Sequence, residues 1–432
     1  MTMEGKVTIH DPYAAFRVPR LLRYLLGMVF IQIGMGAQGL AIGWEIYQRT
    51  GQPLALGLAG GIQAIPMILL SLPAGYLADR FERRTVIVLC LLGAGCCSLG
   101  LAWVSFTHSP IQWMYLLLLL DATMMTLQRP ASSAILPTLT PPELFENTMK
   151  WRSSLDQISA VAGPALGAFI IVWSIPFAYA INAAFALIFI GLLSSVRLRP
   201  SPSAAGAPSL ATLAAGVHFV WERKALLAAI SLDLFAVLLG GAVYLLPIYA
   251  RDILRVGAYG LGWLRAAPAV GAFCMAILLA HLPPMRRAGR TMLAAVAGFG
   301  LATICFGLSR NFWLSWAMLF LTGAMDNVSV VVRHTLVQLL TPDHMRGRVS
   351  AVNSIFIGSS NEIGGLESGL VAQYFTPTIS VVGGGIGTLV VVILWALAFP
   401  RLRRFGALTT EAEAATVSDD HPPVVDLERS HP

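Results

Sequence analysis

Seven ionisable residues stand inside long apolar stretches of this 432-residue chain: Asp121, Arg129, Asp233, Asp326, Arg333, Glu362 and Glu367. Glu45 and Arg265 lie nearer the ends of such stretches. Within a bilayer each charge would cost about 2.5–3.5 kcal/mol at a helix centre, so these groups must face a wet cavity or one another. A carboxyl withdrawn from water holds a proton more readily and can take it up on one side and release it on the other. Spacing groups the residues further. Asp121, Gln128, Arg129 and Ser132 fall at i, i+7, i+8 and i+11, one helical stripe, and Asp326 and Arg333 stand seven apart, flanked by Asn327, His334 and Gln338. Asn353, Ser360 and Glu367 share a face, whereas Glu362 falls off it and is expected to pair with a neighbouring helix. Asp121, Asp233, Asp326 and Glu367 are therefore the candidates for carrying a proton. Arg129 and Arg333 are candidate counter-charges or contacts for an anionic substrate, and Gln32, Gln38 and Asn327 complete the candidate cavity lining. The same residues also fit purely structural Asp–Arg pairs, and His334 fits hydrogen bonding better than ligation.

The surrounding elements are set by composition. Hydrophobic residues make up 56% of the chain and charged residues only 12%, against about 25% charged in an ordinary globular protein. Apolar stretches of roughly 20 residues, each enough to cross a core about 30 Å thick, recur twelve times. They fall at 22–45, 54–78, 85–106, 112–136, 152–173, 176–197, 226–249, 261–281, 292–308, 313–340, 350–375 and 377–399. Continuous apolarity rather than alternation predicts helices and excludes a barrel. The polar start, with Glu4, Lys6, His10 and Asp11, is not that of a cleavable signal peptide.

With the N-terminus inside, 21 Lys and Arg fall on the cytoplasmic side, and only Arg49, Arg251, Arg255 and Arg310 on the other. That excess predicts both termini in the cytoplasm, and it makes the net charge of +7 a topology signal rather than a nucleic-acid footprint. The five cysteines all fall in predicted spans without a CxxC pair and read as small apolar fillers, so no disulfide, metal or other cofactor is expected. GMGAQG at 34–39 fits a dinucleotide pattern by letter only, lying inside the first span with no strand before it, and reads as helix packing. No Walker A, H-E-x-x-H or G-x-S-x-G occurs, which leaves an ATP-driven pump or a protease without local support.

The chain is doubled. Gln63-Ala64-Ile65-Pro66 matches Arg265-Ala266-Ala267-Pro268, Arg84-Thr85 matches Arg290-Thr291, and LTPPELFENTMKWRS matches LTPDHMRGRVSAVNS, at offsets of 202, 206 and 201 residues. The expected organisation is a cytoplasmic N-terminal segment (1–21), a six-helix bundle (22–197), a cytoplasmic linker with an interfacial helix (198–225), a second six-helix bundle (226–404) and an acidic, disordered tail (405–432). Two parallel six-helix halves are a transporter architecture with the substrate path at the interface of the halves.

GYLADRFERRT at 75–85 resembles the signature loop of the major facilitator superfamily, G-x-x-x-D-R-x-G-R-R, matching at Gly75, Asp79, Arg80, Arg83 and Arg84 and departing at Glu82. The second copy, HLPPMRRAGRT, has Met285 where the first has Asp79. GPALG at 163–167 is similar to the superfamily's antiporter motif G-P-x-x-G, through Gly163, Pro164 and Gly167, with Ala168 in place of the final Gly. QRPASSAILPTLTP, LDLFAVLLGG and RGRVSAVNSIFIGSSNEIG resemble the proton-antiporter branch that contains the enterobactin (siderophore) exporter. The resemblance implies an all-α membrane protein of twelve transmembrane helices in two pseudo-symmetric bundles, with the 75–85 loop bracing one conformation. It implies no enzyme but a secondary transporter of the inner (plasma) membrane that exports a siderophore or drug-like amphiphile in exchange for protons, with one chain as the transport unit. Import by proton symport, and a non-transporting scaffold or sensor with the same fold, remain open from the sequence.

Overall fold

The structure, a computed structural model, describes residues 11–196, 210–283, 285 and 287–400. The first ten residues, the 198–209 part of the linker, the acidic tail, and Arg197, Arg199, Arg286, Arg401, Arg403 and Arg404 lie outside the described residues. Among those described there is no strand. The first half forms α1 (Pro19–Thr50), α2 (Pro53–Arg80), α3 (Arg83–Phe106), α4 (Ile111–Leu139), α5 (Phe145–Trp173) and α6 (Ile175–Ser194). A short α7 (Leu210–Glu222) precedes α8 (Lys224–Leu239), α9 (Leu246–Ile248), α10 (Gly257–His281), α11 (Ala288–Leu308), α12 (Phe312–Leu340), α13 (Asp343–Tyr374) and α14 (Pro377–Ala398).

Every expected span but the seventh forms a single helix, and ten stretches are long and apolar enough to cross a membrane. The other two, α4 and α13, are 29 and 32 residues long and carry the polar stripes that lower their apolarity. Local chemistry sets the ends. Proline opens α1, α2 and α14, where its missing N–H costs nothing. Gly51, at φ 64°, closes α1 in the left-handed conformation that glycine alone adopts freely. The Asn311 side chain caps α12 by accepting from the N–H groups of Trp313 and Leu314.

Two features depart from the expected spans. Helices α5 and α13 each begin seven residues earlier, because a polar turn continues the helix beyond the apolar run after Pro141-Pro142 and Pro342. In α5 that turn is used: Asn147 Nδ2 and Trp151 Nε1 donate to the Pro12 carbonyl at 2.9 and 2.7 Å, and Phe16 packs on the Trp151 ring at 4.4 Å. The seventh span, expected as one helix over 226–249, is broken. Helix α8 stops at Leu239, a 3-10 turn runs over Gly241–Leu245, and α9 passes into a π turn at Tyr249–Ile253. At the break α13 comes to backbone distance, since a Cβ on Gly241 would meet Ser368 Oγ at 2.3 Å and the Gly364 carbonyl at 2.6 Å.

Contacts sort the chain into two compact units. The first holds α1 to α6 together with Leu246–Ala269; the second holds α7, α8 and the turn to Leu245, and everything from Val270 onward. In the first, Tyr24, Ile87, Leu91, Leu136 and Phe189 form the core. There α1 crosses α5 at backbone distance: a Cβ on Gly36 would sit 3.0 Å from Gly163 Cα, and one on Gly167 2.7 Å from Ala37 Cα. In the second, Leu232, Met292, Val332 and Leu336 are fully buried. Outside these cores Leu69, Trp103, Trp173 and Leu397 are each at least 66% exposed, which fits a surface solvated by lipid rather than water.

Candidate functional site

The first unit holds a continuous line of buried amides. Gln38 of α1 donates through Nε2 to Asp121 Oδ2 of α4 at 3.4 Å, and its Oε1 accepts from Asn182 Nδ2 of α6 at 3.0 Å. Asn182 Nδ2 also donates to Ser98 Oγ of α3 at 3.0 Å. Gln38, Asn182 and Ser98 are at most 3% exposed, whereas Asp121 at the end of the line is half-buried. Gly34 makes the arrangement possible, because a Cβ there would lie 2.4 Å from Asn182 Oδ1. The result is a half-buried carboxylate fixed on one side by an amide relay.

Two further polar sets flank the line. Gln32 Nε2 donates to Asp156 Oδ1 of α5 at 2.8 Å, and Arg152 stands 3.8 Å from the same carboxylate. One turn before the end of α1, Glu45 is paired with Arg49 and accepts from the Tyr179 hydroxyl at 2.7 Å. Arg129 is not brought to Asp121: it is exposed and makes no ion pair among the described residues. It points off the buried side because the stripe that holds Asp121 turns inward at Gln128 instead, which is 8% exposed.

The second unit is built differently. Asp233 of α8 and Arg333 of α12, 4% and 2% exposed, form an ion pair through Asp233 Oδ2. Beside it a small pocket is lined by Asp233, Ala236 and Val237 of α8, Val296 and Phe299 of α11, and Met325, Asp326 and Ser329 of α12. Asn327 is half-buried with an unpartnered Oδ1. His334 is exposed and makes no hydrogen bond among the described residues, contrary to the role expected for it. Glu367 accepts from Ser368 Oγ at 3.3 Å, on the face where Asn353 and Ser360 are buried. Glu362 accepts from the Tyr244 hydroxyl at 2.6 Å, the cross-helix pairing expected of it.

The charged loop between α2 and α3 is fastened at two points. Arg83 Nη1 donates to the Ala134 carbonyl near the end of α4 at 2.9 Å, and Arg84 Nη2 to the Ser194 carbonyl ending α6 at 2.7 Å. Each guanidinium thus meets the negative end of a helix. Arg80 contacts the Tyr76 hydroxyl at 2.5 Å. Gly75 and Asp79 are half-buried, and Asp79 has no partner among the described residues. In the Gly-Pro stretch, Gly163 and Gly167 admit α1 as described, while the Pro164 carbonyl and Ala168 face Gly262 of α10 within the same unit. Of the residues that matter here, Asp156, Tyr179, Asn182, Ser98 and Ser329 were not picked out from the sequence. Asn182 carried a signal, as the one amide of an otherwise apolar span.

Long apolar helices with carboxylates set among them are the build of a multi-pass membrane protein. Comparison makes the class specific. The chain belongs to the transmembrane secretion effector family of the major facilitator superfamily, whose model matches residues 11–429. It is 28% identical over 396 residues to the enterobactin exporters EntS of Shigella boydii and Escherichia coli, covering 91% of this chain and 94% of each relative. A mutant of the nucleoside transporter NupG superposes with a TM-score of 0.70 at 12% identity, covering 88% of this chain and all of that one. A bacterial homolog of the human lysosomal transporter Spinster gives 0.68 at 14% identity, covering 96% and 100%. A D-xylose-proton symporter gives 0.66 at 14%, covering 91% and 100%. These three share the fold.

Proposed function

We propose that this protein exports a small organic molecule, a siderophore or similar amphiphile, by alternating access in exchange for protons. The reading rests above all on Asp121, a carboxylate held by a buried amide line in a chain related along most of its length to an enterobactin exporter. Asp121 is the first candidate for the coupling proton, with Asp233, Asp326 and Glu367 as the others. Gln32, Gln38, Arg129, Asn327 and Arg333 are the candidate substrate contacts. A potential of 100 mV contributes about 2.3 kcal/mol per charge moved, so one or two protons drive useful outward accumulation. The loop Gly75–Arg84 braces one conformation through Arg83 and Arg84, and Gly163, Pro164 and Gly167 set the approach of α5 to α1. The protein works as a single chain in the inner (plasma) membrane, with both termini in the cytoplasm.

The test compares a deletion strain with wild type for secreted siderophore and for sensitivity to a drug panel, and measures pH-gradient-driven export in everted vesicles. Deletion lowers secretion or raises sensitivity, and Asp121→Asn abolishes the response to the pH gradient. Unchanged secretion and sensitivity defeat export. Full coupling in Asp121→Asn removes that acid from the mechanism.

A further inference from the structure

Within the first unit, α6 is flanked by α1 and α3. Helix α1 meets it at Phe189, whose ring a Cβ on Gly27 would strike, and α3 meets it at Ala186, 3.8 Å from a Cβ on Gly95. The other side of α6 is uncovered. Ala184, Leu187, Ile188 and Gly191 are all exposed and fall at i, i+3, i+4 and i+7, one stripe of the helix. A Cβ on Gly191 would have nothing within 4 Å. Leu26 and Leu89 are exposed on the flanking helices. This apolar stripe ends in positive charge. Arg23 Nη1 of α1 donates to the carbonyl and the hydroxyl of Ser195, both at 3.2 Å, and Arg84 Nη2 of α3 donates to the Ser194 carbonyl at 2.7 Å. Two guanidinium groups thus converge from opposite flanks on one helix end, whose dipole supplies the equivalent of only about half a negative charge. Neither makes an ion pair among the described residues: Asp11 is paired with Arg17, and Glu82, two residues before Arg84, accepts from Thr85 at 3.0 Å. Arg20, exposed and one turn before Arg23 on α1, makes no hydrogen bond or ion pair among the described residues.

We propose that Arg20, Arg23 and Arg84, with the exposed stripe of α6 beside them, form a binding site for an anionic glycerophospholipid of the leaflet on that face. Charge sets the headgroup. Arginine is always ionised and takes phosphate oxygens through its fork of N–H groups, and Arg23 keeps the donors of Nε and Nη2 for that purpose. A choline headgroup would set a cation against the guanidinium groups, whereas a lipid of net negative charge neutralises what α6 leaves over. A basic pocket at the ends of neighbouring spans suits such a headgroup. The stripe sets the source of the phosphate: an acyl chain can lie along Leu187 and Ile188, with Gly191 leaving room beneath the headgroup, and a free phosphate ion would make no use of it. Capping α6 alone would need one guanidinium, which leaves the second and the unpartnered Arg20 unexplained.

This inference is independent of the molecule exported and of proton coupling. The experiment titrates the full chain in detergent with phosphatidylglycerol, phosphatidylcholine or inorganic phosphate at constant ionic strength, follows thermal unfolding, and counts retained lipid by native mass spectrometry. Phosphatidylglycerol raises the midpoint saturably and stays bound; the other two do neither. Arg23→Gln weakens apparent affinity about fivefold, and combining it with Arg20→Gln weakens it by about twenty-fivefold. Gly191→Trp fills the stripe without changing charge and lowers the retained lipid. Arg17→Gln removes the same charge from a residue already paired and leaves binding unchanged. Should Arg23→Gln fail to fold for want of its bonds to α6, Arg20→Gln carries the test. Equal midpoints in the two lipids, a shift reproduced by inorganic phosphate, binding unchanged in Gly191→Trp, or a loss in Arg17→Gln equal to that in Arg20→Gln would each overturn the site.

Discussion

The Asp233–Arg333 pair has the energetics of a buried salt bridge: each partner is tolerated only because the other is there. Both are at most 4% exposed, so removing one strands a full charge, which typically costs 3–5 kcal/mol, whereas replacing both with apolar groups of similar size is often neutral. Arg333→Met is therefore expected to destabilise the protein by about 3 kcal/mol or more, read as a fall in thermal midpoint, and to lower yield in the membrane. Combining it with Asp233→Leu should restore most of that loss. A pair kept for stability alone would leave the double variant fully active; the proposed role in substrate or proton binding requires a stable but transport-deficient protein. The sequence made half of this visible. Asp326 and Arg333 stood out by their spacing along one helix, but the actual partner of Arg333 is Asp233, about a hundred residues away and on another span. Periodicity sorts residues within a helix and is silent about which face of the next helix they meet. For the same reason Arg129, placed on a stripe with Asp121, turned out exposed.

At the scale of helices, small residues decide how close the backbones come. The α1–α5 crossing tolerates no added methyl, since a Cβ on Gly167 would fall 2.7 Å from Ala37 Cα and 2.9 Å from its carbonyl oxygen. Gly39, three positions along α1 from Gly36, has nothing within 4 Å of such a Cβ. Gly167→Ala should thus force the helices apart at a cost of about 1–3 kcal/mol, while Gly39→Ala should be neutral or stabilising by up to about 1 kcal/mol through helix propensity. Thermal midpoints of the two variants in one detergent check this, and equal effects would refute the packing role assigned to GPALG. Most helix positions were legible because a bilayer demands about 20 apolar residues per crossing and each run is bounded by charge. The earlier starts of α5 and α13 were not, because helix and apolarity stop being the same thing where a turn stands in water. Nor was the break after Leu239, where apolarity continues unbroken. Only the Gly240-Gly241 pair marks it, and a glycine pair in a span more often signals packing than interruption.

Across the whole molecule, the uneven placement of basic residues serves two ends at once. Successive helices run in opposite directions, so α2, α4 and α6 all present their carbonyl ends at the face that carries Arg83 and Arg84, and those guanidinium groups bind the ends of α4 and α6 directly. At the opposite face Arg49, one of the few basic residues there, is held against Glu45 and donates to the Val104 and Ser105 carbonyls in the last turn of α3 and to the Ser109 carbonyl in the loop beyond it. Its charge is thereby neutralised, which leaves the imbalance of 21 against 4 nearly undiluted as an orientation signal. The loop at Gln52 should then face the outside and the loop at Glu82 the cytoplasm; both positions are exposed. In a chain with its five cysteines replaced, a membrane-impermeant maleimide added to intact cells should label Gln52→Cys and spare Glu82→Cys, with both labelled once the membrane is permeabilised. The reverse pattern would place the basic face outside, against the membrane potential. It would also invert the sense in which a proton taken up by Asp121 could drive a substrate, because the same exchange would then run inward.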